Sequence, residues 1–510
     1  MNDYLTTTQS ACRVCGKLIP ARVWVRTDGV WFDKICPEHG FQEARVHGDA
    51  EAYLKLGRFH RQASMPLSFA TASHGCPDSC GLCPEHEQHV CLPILEITDH
   101  CDLDCPICLV SNPASRHLTC DEVARILDGL IRAEGQIDVL NLSGGEPTMN
   151  PHFRDIVEEC VARKEILRVS VSTNGLRLSR DEELLRFLAD RRVIVSLQFD
   201  GLDDGIYQAL RGRSLLESKL RLIEQCGELN TPMSLTATVV NGVNTDRVSA
   251  VADLLFQHDH ILSVMFQPAA YAGNAARMKR PATATTIPDV LTALRGAGSG
   301  TVSPTDFSPL PCSHPACFSL AFYLKIEENQ FVPIKQLVSA ERYQRLIQNR
   351  AIFGTDAESF RHITDAVYDL WSAPAAPLPR PKINLESVEC APDEACACSQ
   401  FVSEKALRTI KGLLNSATAT GGYSPKKAWA IGERSVKSIF VHQFMDRDTF
   451  DLSRARKCCQ VYPQPDGRLI PACIRNCLGT RSSRGDEAQT SLISEPPYVG
   501  CYGNKRGAKL

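Results

Sequence analysis

One cysteine spacing, C-x3-C-x2-C, occurs twice: Cys76, Cys80 and Cys83 in GCPDSCGLC, then Cys101, Cys105 and Cys108 in HCDLDCPIC. Three thiolates so spaced hold three irons of a 4Fe-4S cube and leave the fourth iron open to a small chelating molecule. The second triad follows an apolar run, Ile94 to Ile97, that reads as a buried strand. Another such run, Val139 to Leu142, leads into Gly144-Gly145-Glu146-Pro147. The plainer reading of the second triad is a structural zinc or iron knot with a fourth ligand from elsewhere. The first triad has no GGEP-like loop in its own strand unit and reads as an auxiliary cluster or metal knot. Cys91 is either its fourth ligand or a buried strand residue.

A chain of 510 residues can bury a sizeable core and predicts two or three domains. Its net charge of −3, with both signs interspersed, argues against nucleic-acid or strongly anionic partners. Twenty-three cysteines without an apolar leader suit metal ligands in a reducing cytosol better than a secreted disulfide scaffold, so a cytoplasmic location is expected. No run approaches the about 20 apolar residues of a membrane span. A lipid substrate would have to be delivered or met at the membrane surface, which leaves peripheral membrane contact open.

Residues 1–60 carry Cys12 and Cys15, a hairpin signal at Asp28-Gly29, then Cys36 and His39. Two knuckles joined by a hairpin predict a zinc-ribbon or rubredoxin-like module. Its three thiolates and one imidazole suit tetrahedral zinc or mononuclear iron in a closed, structural site. Residues 61–92 hold the first triad. From residue 93 to 300, strand and helix patterns alternate, with strands at Ile94 to Ile97, Val139 to Leu142, Val169 to Ser172, Val193 to Phe199, Leu235 to Val240 and Leu262 to Phe266. Thr119 reads as the N-cap of a helix to Ala133. Polar residues cluster after the strands, among them Thr173, Asn174, Gln198 and Asp200. Active sites of parallel barrels occupy the carboxyl ends of strands, so the fold class expected is α/β, an open partial (β/α)6 barrel. Cys120, Cys160 and Cys226 read as packing residues.

Residues 301–480 form the expected C-terminal auxiliary iron-sulfur domain. Cys312 and Cys317 flank a proline-rich turn, and Cys458 or Cys459 brackets a hairpin with Cys473. These thiolates are expected to meet as one auxiliary 4Fe-4S cluster, with zinc as the alternative, and the first triad raises the count to one or two. Which member of the Cys458-Cys459 doublet is a ligand stays open, as does the part played by Cys477. Cys390, Cys396 and Cys398 suit a further site or a loop, Ala373 to Pro381 reads as a linker, and residues 481–510 read as a disordered tail holding Cys501.

The cysteine triad followed by GGEP resembles the radical S-adenosylmethionine (SAM) superfamily. The ordered run CPEHG, GCPDSCGLCPEH, CDLDCPIC, LSGGEPT, STNGLRL, LQFDG, LRG, VNGVNTD, FQPAAYAG, SPLPCSHPACFSL, FMDRDTFDL and PDGRLIPAC, over roughly residues 10 to 478, further resembles the archaeal tetraether lipid synthases. That family overlaps with class D radical SAM methyltransferases acting on a methanopterin precursor. Ile107 stands where the superfamily often has an aromatic residue, a position that needs bulk more than a ring. The resemblance implies SAM on the open iron, Gly144, Gly145 and Glu146 toward the SAM ammonium, and Thr173, Asn174, Gln198 and Asp200 as contacts to SAM or substrate. It implies reductive cleavage of SAM to a 5′-deoxyadenosyl radical, fed by a low-potential donor such as ferredoxin or flavodoxin, with hydrogen abstraction from an unactivated carbon. The first expectation is carbon–carbon coupling of lipid-like chains, with one chain parked on a sulfur of an auxiliary cluster between abstractions. The second is radical C-methylation of a pterin or similar small molecule. The third is a non-enzymatic electron-transfer or sensory iron-sulfur protein, which leaves the GGEP loop without a purpose.

Overall fold

Apolar runs that reach neither solvent nor a turn for five or more residues suit strands covered on both faces, and the six expected between residues 93 and 268 all form. They are β5 (Leu92–Thr98), β6 (Ile137–Gly144), β7 (Ile166–Thr173), β8 (Ile194–Gln198), β9 (Met233–Val239) and β10 (Ile261–Pro268), paired in parallel in that order. The coordinates are a computed structural model and describe residues 3–70, 75–77, 80–110, 116–349 and 433–479, with 434 excepted. Cys390, Cys396, Cys398, Cys501, the proline-rich stretch and the expected tail lie outside the described residues.

Crossover helices cover the outer face. Helix α2 (Cys120–Glu134) begins at Thr119, whose hydroxyl accepts from the Glu122 amide while the Glu122 carboxylate accepts from the Thr119 amide. It buries Val123, Ile126, Leu127 and Leu130, the i, i+3, i+4, i+7 stripe of an amphipathic helix, against Leu140 and Leu142 of the sheet. Helices α3 (Phe153–Ala162), α4 (Glu182–Asp190), α5 (Asp204–Arg211), α6 (Leu216–Glu228) and α7 (Val248–Gln257) follow between the later strands. Cys160 and Cys226 are fully buried in this core, as their apolar surroundings in sequence suggest.

Strands β1 (Asp3–Ala11), β2 (Leu18–Arg26), β3 (Gly29–Cys36) and β4 (Gly40–His47) make an antiparallel sheet, followed by a short helix α1 (Ala50–Lys55). The β2–β3 turn is Thr27-Asp28, one residue earlier than expected, because Gly29 already pairs with Arg26. A buried ammonium ties this module to the C-terminal segment. Lys34 Nζ donates to Ala11 O at 2.6 Å and to Arg447 O and Asp448 O at 2.8 Å each.

After the barrel the chain returns to both open edges of the sheet. Strand β14 (Val436–His442) pairs in parallel with β10, and β12 (Phe318–Glu327) pairs antiparallel with β14 and with β11 (Ser308–Pro309). A hairpin strand, β13 (Gln330–Pro333), extends β12. On the far side, β15 (Gln460–Pro463) joins β5 in parallel and carries β16 (Leu469–Pro471). An open partial barrel leaves two unpaired strand edges, and these returns satisfy their backbone donors and acceptors. They also bring the late cysteines beside the early ones.

Candidate active site and metal centres

The carboxyl ends of β5 to β10 open into a cavity of about 440 Å³, with Cys101, Cys105 and Cys108 on its rim. The loop that carries them is fixed between its cysteines. Leu103 packs on Leu176, Tyr207 and Leu215, and Ile107 packs among Ile206, Leu210 and Val240. The bulk expected of Ile107 is thus used in packing. Burial pushes the Cys101 thiol up to about 12 and raises Cys105 as well, so the free thiolates are disfavoured unless a metal takes them. The donor set fits a 4Fe-4S cube: three thiols on one loop, partly accessible, facing one cavity.

The GGEP loop is pressed against the same segment. A side chain at Gly144 would meet Thr98 O at 2.1 Å, and one at Gly145 would meet His100 O at 2.2 Å. Gly144, Gly145, Thr173, Asn174 and Gln198 line the cavity; Glu146 and Asp200 do not. Glu146, expected to face the SAM ammonium, is 1% exposed and accepts from Thr148 N, Thr148 Oγ1, Thr173 Oγ1 and Asn174 N. Burial raises its carboxyl and those four bonds oppose the rise. These bonds tie the GGEP loop to the end of β7. The Asn174 side chain reaches across to Asp102 Oδ1 at 2.6 Å, clasping the cysteine loop.

Asp200, expected as a cofactor or substrate contact, is spent on Arg211. Their ion pair uses both carboxylate oxygens, at 2.7 and 2.9 Å, and the Thr238 amide adds a third bond at 2.9 Å. Arg211 in turn hydrogen-bonds the Cys105 thiol. Lys219, fully buried, donates to Gln198 Oε1 at 2.8 Å and to Asn174 O, and burial lowers its ammonium to about 7. Sequence reading passed over Arg211 and Lys219. Arg211 is the middle residue of the LRG motif, and a cation at the end of a helix that follows FDG was the available signal.

The cavity walls differ in chemistry. Its barrel side carries Ser170, Ser172, Ser196, Ser234, Thr236 and Ser263, where parallel barrels usually stack branched aliphatics. Ser170 and Ser172 bond Asn141 Oδ1 at 3.0 and 3.1 Å, and Ser234 bonds Ser263 at 2.8 Å. The C-terminal side offers Phe318, Phe440 and Phe444. Alternate hydroxyls in β7 and β9 were visible in the sequence as a period of two.

At the N-terminal module the ligand atoms of Cys12, Cys15, Cys36 and His39 lie within 4.8 Å of one another. His39 Nδ1 is 3.6 Å from Cys12 Sγ and 3.4 Å from Cys36 Sγ, and Gln42 Nε2 donates to Cys12 Sγ at 3.1 Å. Such a closed set binds one ion and leaves no reactive position. A Cys15→Ala variant is expected to lose about one metal ion per chain by elemental analysis while retaining 5′-deoxyadenosine formation. The site lies apart from the cavity.

The remaining thiols separate into two groups, where one cluster was expected from Cys312, Cys317, Cys473 and one of the doublet. Cys91, buried at the foot of β5, hydrogen-bonds both Cys312 and Cys459. Its backbone and that of Leu92 donate to Cys459 O at 2.9 and 3.1 Å. Cys80 instead neighbours Cys76, Cys83 and Cys458, and Cys458 hydrogen-bonds Cys473. Cys317 lies near this second group and accepts from the buried Arg454 Nε at 3.3 Å; Cys477 is close to Cys473. The doublet divides because consecutive residues of an extended segment point to opposite sides. Cys91, expected as the fourth ligand of the first triad or as a buried strand residue, is buried just before β5 and meets Cys312 and Cys459.

A cysteine loop and GGEP loop at the mouth of a parallel half-barrel define a radical SAM enzyme, and residues 95–255 match the radical SAM superfamily. Residues 4–48 match the HMPTM N-terminal zinc ribbon domain. The chain is 26% identical over 499 residues to the 7,8-dihydro-6-hydroxymethylpterin dimethyltransferase of Methanocaldococcus jannaschii, covering 92% of this chain and 93% of that protein. It is 28% identical over 209 residues to the GTP 3′,8-cyclase of Streptomyces coelicolor, covering 39% of this chain and 59% of the cyclase. Among solved structures, Streptococcus suis SuiB bound to S-adenosylmethionine aligns at 14% identity over 54% of this chain and 67% of SuiB, with a TM-score of 0.35, too low to carry an argument. The chain is thus a radical SAM enzyme with an N-terminal metal-binding ribbon, and it resembles the class D radical SAM methyltransferases. Among the described residues no helix is long and apolar enough to cross a membrane.

Proposed function

We propose that the protein is a radical SAM C-methyltransferase acting on a small planar heterocycle of the pterin kind. The cavity supports this reading: about 440 Å³, a volume in the small-molecule class, is lined by serine and threonine hydroxyls and by Phe318, Phe440 and Phe444 among aliphatic side chains, with the SAM triad on its rim. The flat faces of a heterocycle suit the phenyl rings and its polar edges suit the serines and threonines. The length-wide similarity to a pterin dimethyltransferase supports the same choice, whereas nothing supports the lipid coupling expected first.

Cys101, Cys105 and Cys108 hold the SAM cluster in this reading, with Gly144, Gly145, Thr173, Asn174 and Gln198 around the cofactor. When bound, cluster and SAM supply a 5′-deoxyadenosyl radical, after one electron from a low-potential donor of the ferredoxin or flavodoxin class, and that radical takes a hydrogen atom from substrate carbon. The chain's own part is positional: Arg211, held by Asp200, bonds the Cys105 thiol, Lys219 holds Gln198 and the Asn174 carbonyl in place, and the aromatic side chains exclude water. Auxiliary 4Fe-4S clusters occupy the Cys91, Cys312, Cys459 group and the Cys76, Cys80, Cys83, Cys458 group, with Cys317 and Cys473 bordering the latter.

The test is anaerobic incubation of iron-loaded protein with dithionite, SAM and 7,8-dihydro-6-hydroxymethylpterin, followed by mass analysis. A product heavier by one or two methyl groups is expected. Two substrates joined, or SAM cleavage stimulated by isoprenoid lipid and not by any pterin, would refute the methylation reading.

A further inference from the structure

The Cys91, Cys312, Cys459 group has an imidazole beside it that no step above uses. His89 Nε2 lies 3.5 Å from Cys91 Sγ, and its Nδ1 lies 3.3 Å from Glu134 Oε2. The Glu134 side chain is 3% exposed, and its other oxygen has no partner among the described residues. Glu134 ends α2, where the helix dipole disfavours an anion, so neither solvation nor the helix accounts for a buried carboxylate there. A ring N–H from His89 does. A carboxylate behind a histidine is the usual support of a metal-bound imidazole, because it fixes the tautomer and leaves the far nitrogen free to bind.

The surrounding donors already serve the thiols. Gln88 Nε2 donates to Cys91 Sγ at 3.3 Å, and the Asn349 amide donates to Cys312 Sγ at 3.1 Å. Hydrogen bonds of this kind stabilise thiolates that ligate iron. Cys91 is the hub of the group, within hydrogen-bond distance of Cys312, Cys459 and His89. Cys91 and Cys459 line the same cavity as Cys101, Cys105 and Cys108.

We propose that His89, backed by Glu134, is the fourth protein ligand of an iron-sulfur cluster held by Cys91, Cys312 and Cys459. The inference rests on the auxiliary-cluster reading given above and adds its ligand set and its role. With four protein donors this cluster has no open iron, so it exchanges electrons and does not park substrate. Replacing a thiolate by an imidazole removes a negative charge and raises the potential, which sets this cluster above the neighbouring all-thiolate one.

The test uses the full chain carrying Cys101→Ala, Cys105→Ala and Cys108→Ala, reconstituted anaerobically with iron and sulfide, so that no SAM-binding cluster contributes. Pulsed EPR of the reduced protein, with and without 15N-histidine, is expected to show a directly bound imidazole nitrogen. Adding His89→Cys should keep the iron content, abolish that coupling and lower the midpoint potential of one cluster. Adding His89→Ala should lower iron retention, which the cysteine variant restores. If Cys312→Ala removes no iron, or the site holds zinc, the cluster assignment and the histidine fall together. If Cys312→Ala removes iron but no histidine nitrogen is coupled, or the coupling survives His89→Cys, the cluster stands and His89 is overturned.

Discussion

Replacing Cys101, Cys105 and Cys108 together by alanine is expected to bring 5′-deoxyadenosine formation below detection and to remove about four irons per chain. The loss should be total, because reductive SAM cleavage has no route other than the iron that these thiols leave open. The remaining iron should stay, since the Cys91 and Cys80 groups use separate loops and strand ends. The fold should survive, because Leu103 and Ile107 still anchor the loop in two apolar clusters when the thiols are gone. The measurement pairs the nucleoside assay with iron analysis and a Tm. Nucleoside formed by the variant would move the cluster elsewhere. Parent protein that was fully loaded, reduced and inert even with a pterin supplied would favour a non-enzymatic iron-sulfur role.

The barrel was legible because its strands are short, apolar and closely spaced, so that each one announces itself locally: Val139 to Leu142 lies inside β6 and Leu262 to Phe266 inside β10. The C-terminal strands were not. Val436 to His442 has an ordinary strand pattern, but nothing local says that it will pair with β10, more than 160 residues earlier, while β15 crosses to the opposite edge at β5. That non-local pairing decides the metal groups. Cys459 meets Cys91 only because β15 lies beside β5, so spacing along the chain could not divide Cys312, Cys317, Cys458, Cys459 and Cys473 between the one or two auxiliary clusters expected.

A similar limit applied to the carboxylates. Glu146 and Asp200 stood at strand ends, where ligands bind, and were read as contacts. Which way such a side chain turns depends on competing donors, and here Thr148, Thr173 and Asn174 claim the first while Arg211 and the Thr238 amide claim the second. The motif marked the neighbourhood, and only the fold shows which donors each carboxylate meets there.

Arg211→Ala is expected to be the most damaging single substitution at the site that removes no cysteine. The Asp200 side chain is fully buried and that of Arg211 is 10% exposed, so the variant leaves a carboxylate without its counter-ion in a dry environment. Breaking a buried pair in this way costs about 3–5 kcal/mol, far more than the pair itself contributes. Lys219 cannot take over, since its ammonium is already committed to Gln198 and Asn174 and burial weakens its charge. Removing both charges, as Asp200→Leu with Arg211→Met, should recover most of that stability by replacing the ion pair with apolar volume. It should not recover SAM cleavage, because the bond from Arg211 to Cys105 is lost in both variants. A Tm that rises from single to double variant while 5′-deoxyadenosine formation stays low separates the two roles of Arg211. Recovery of both together would reduce Arg211 to a structural counter-ion, and its contact with the cysteine loop would then carry no chemical consequence.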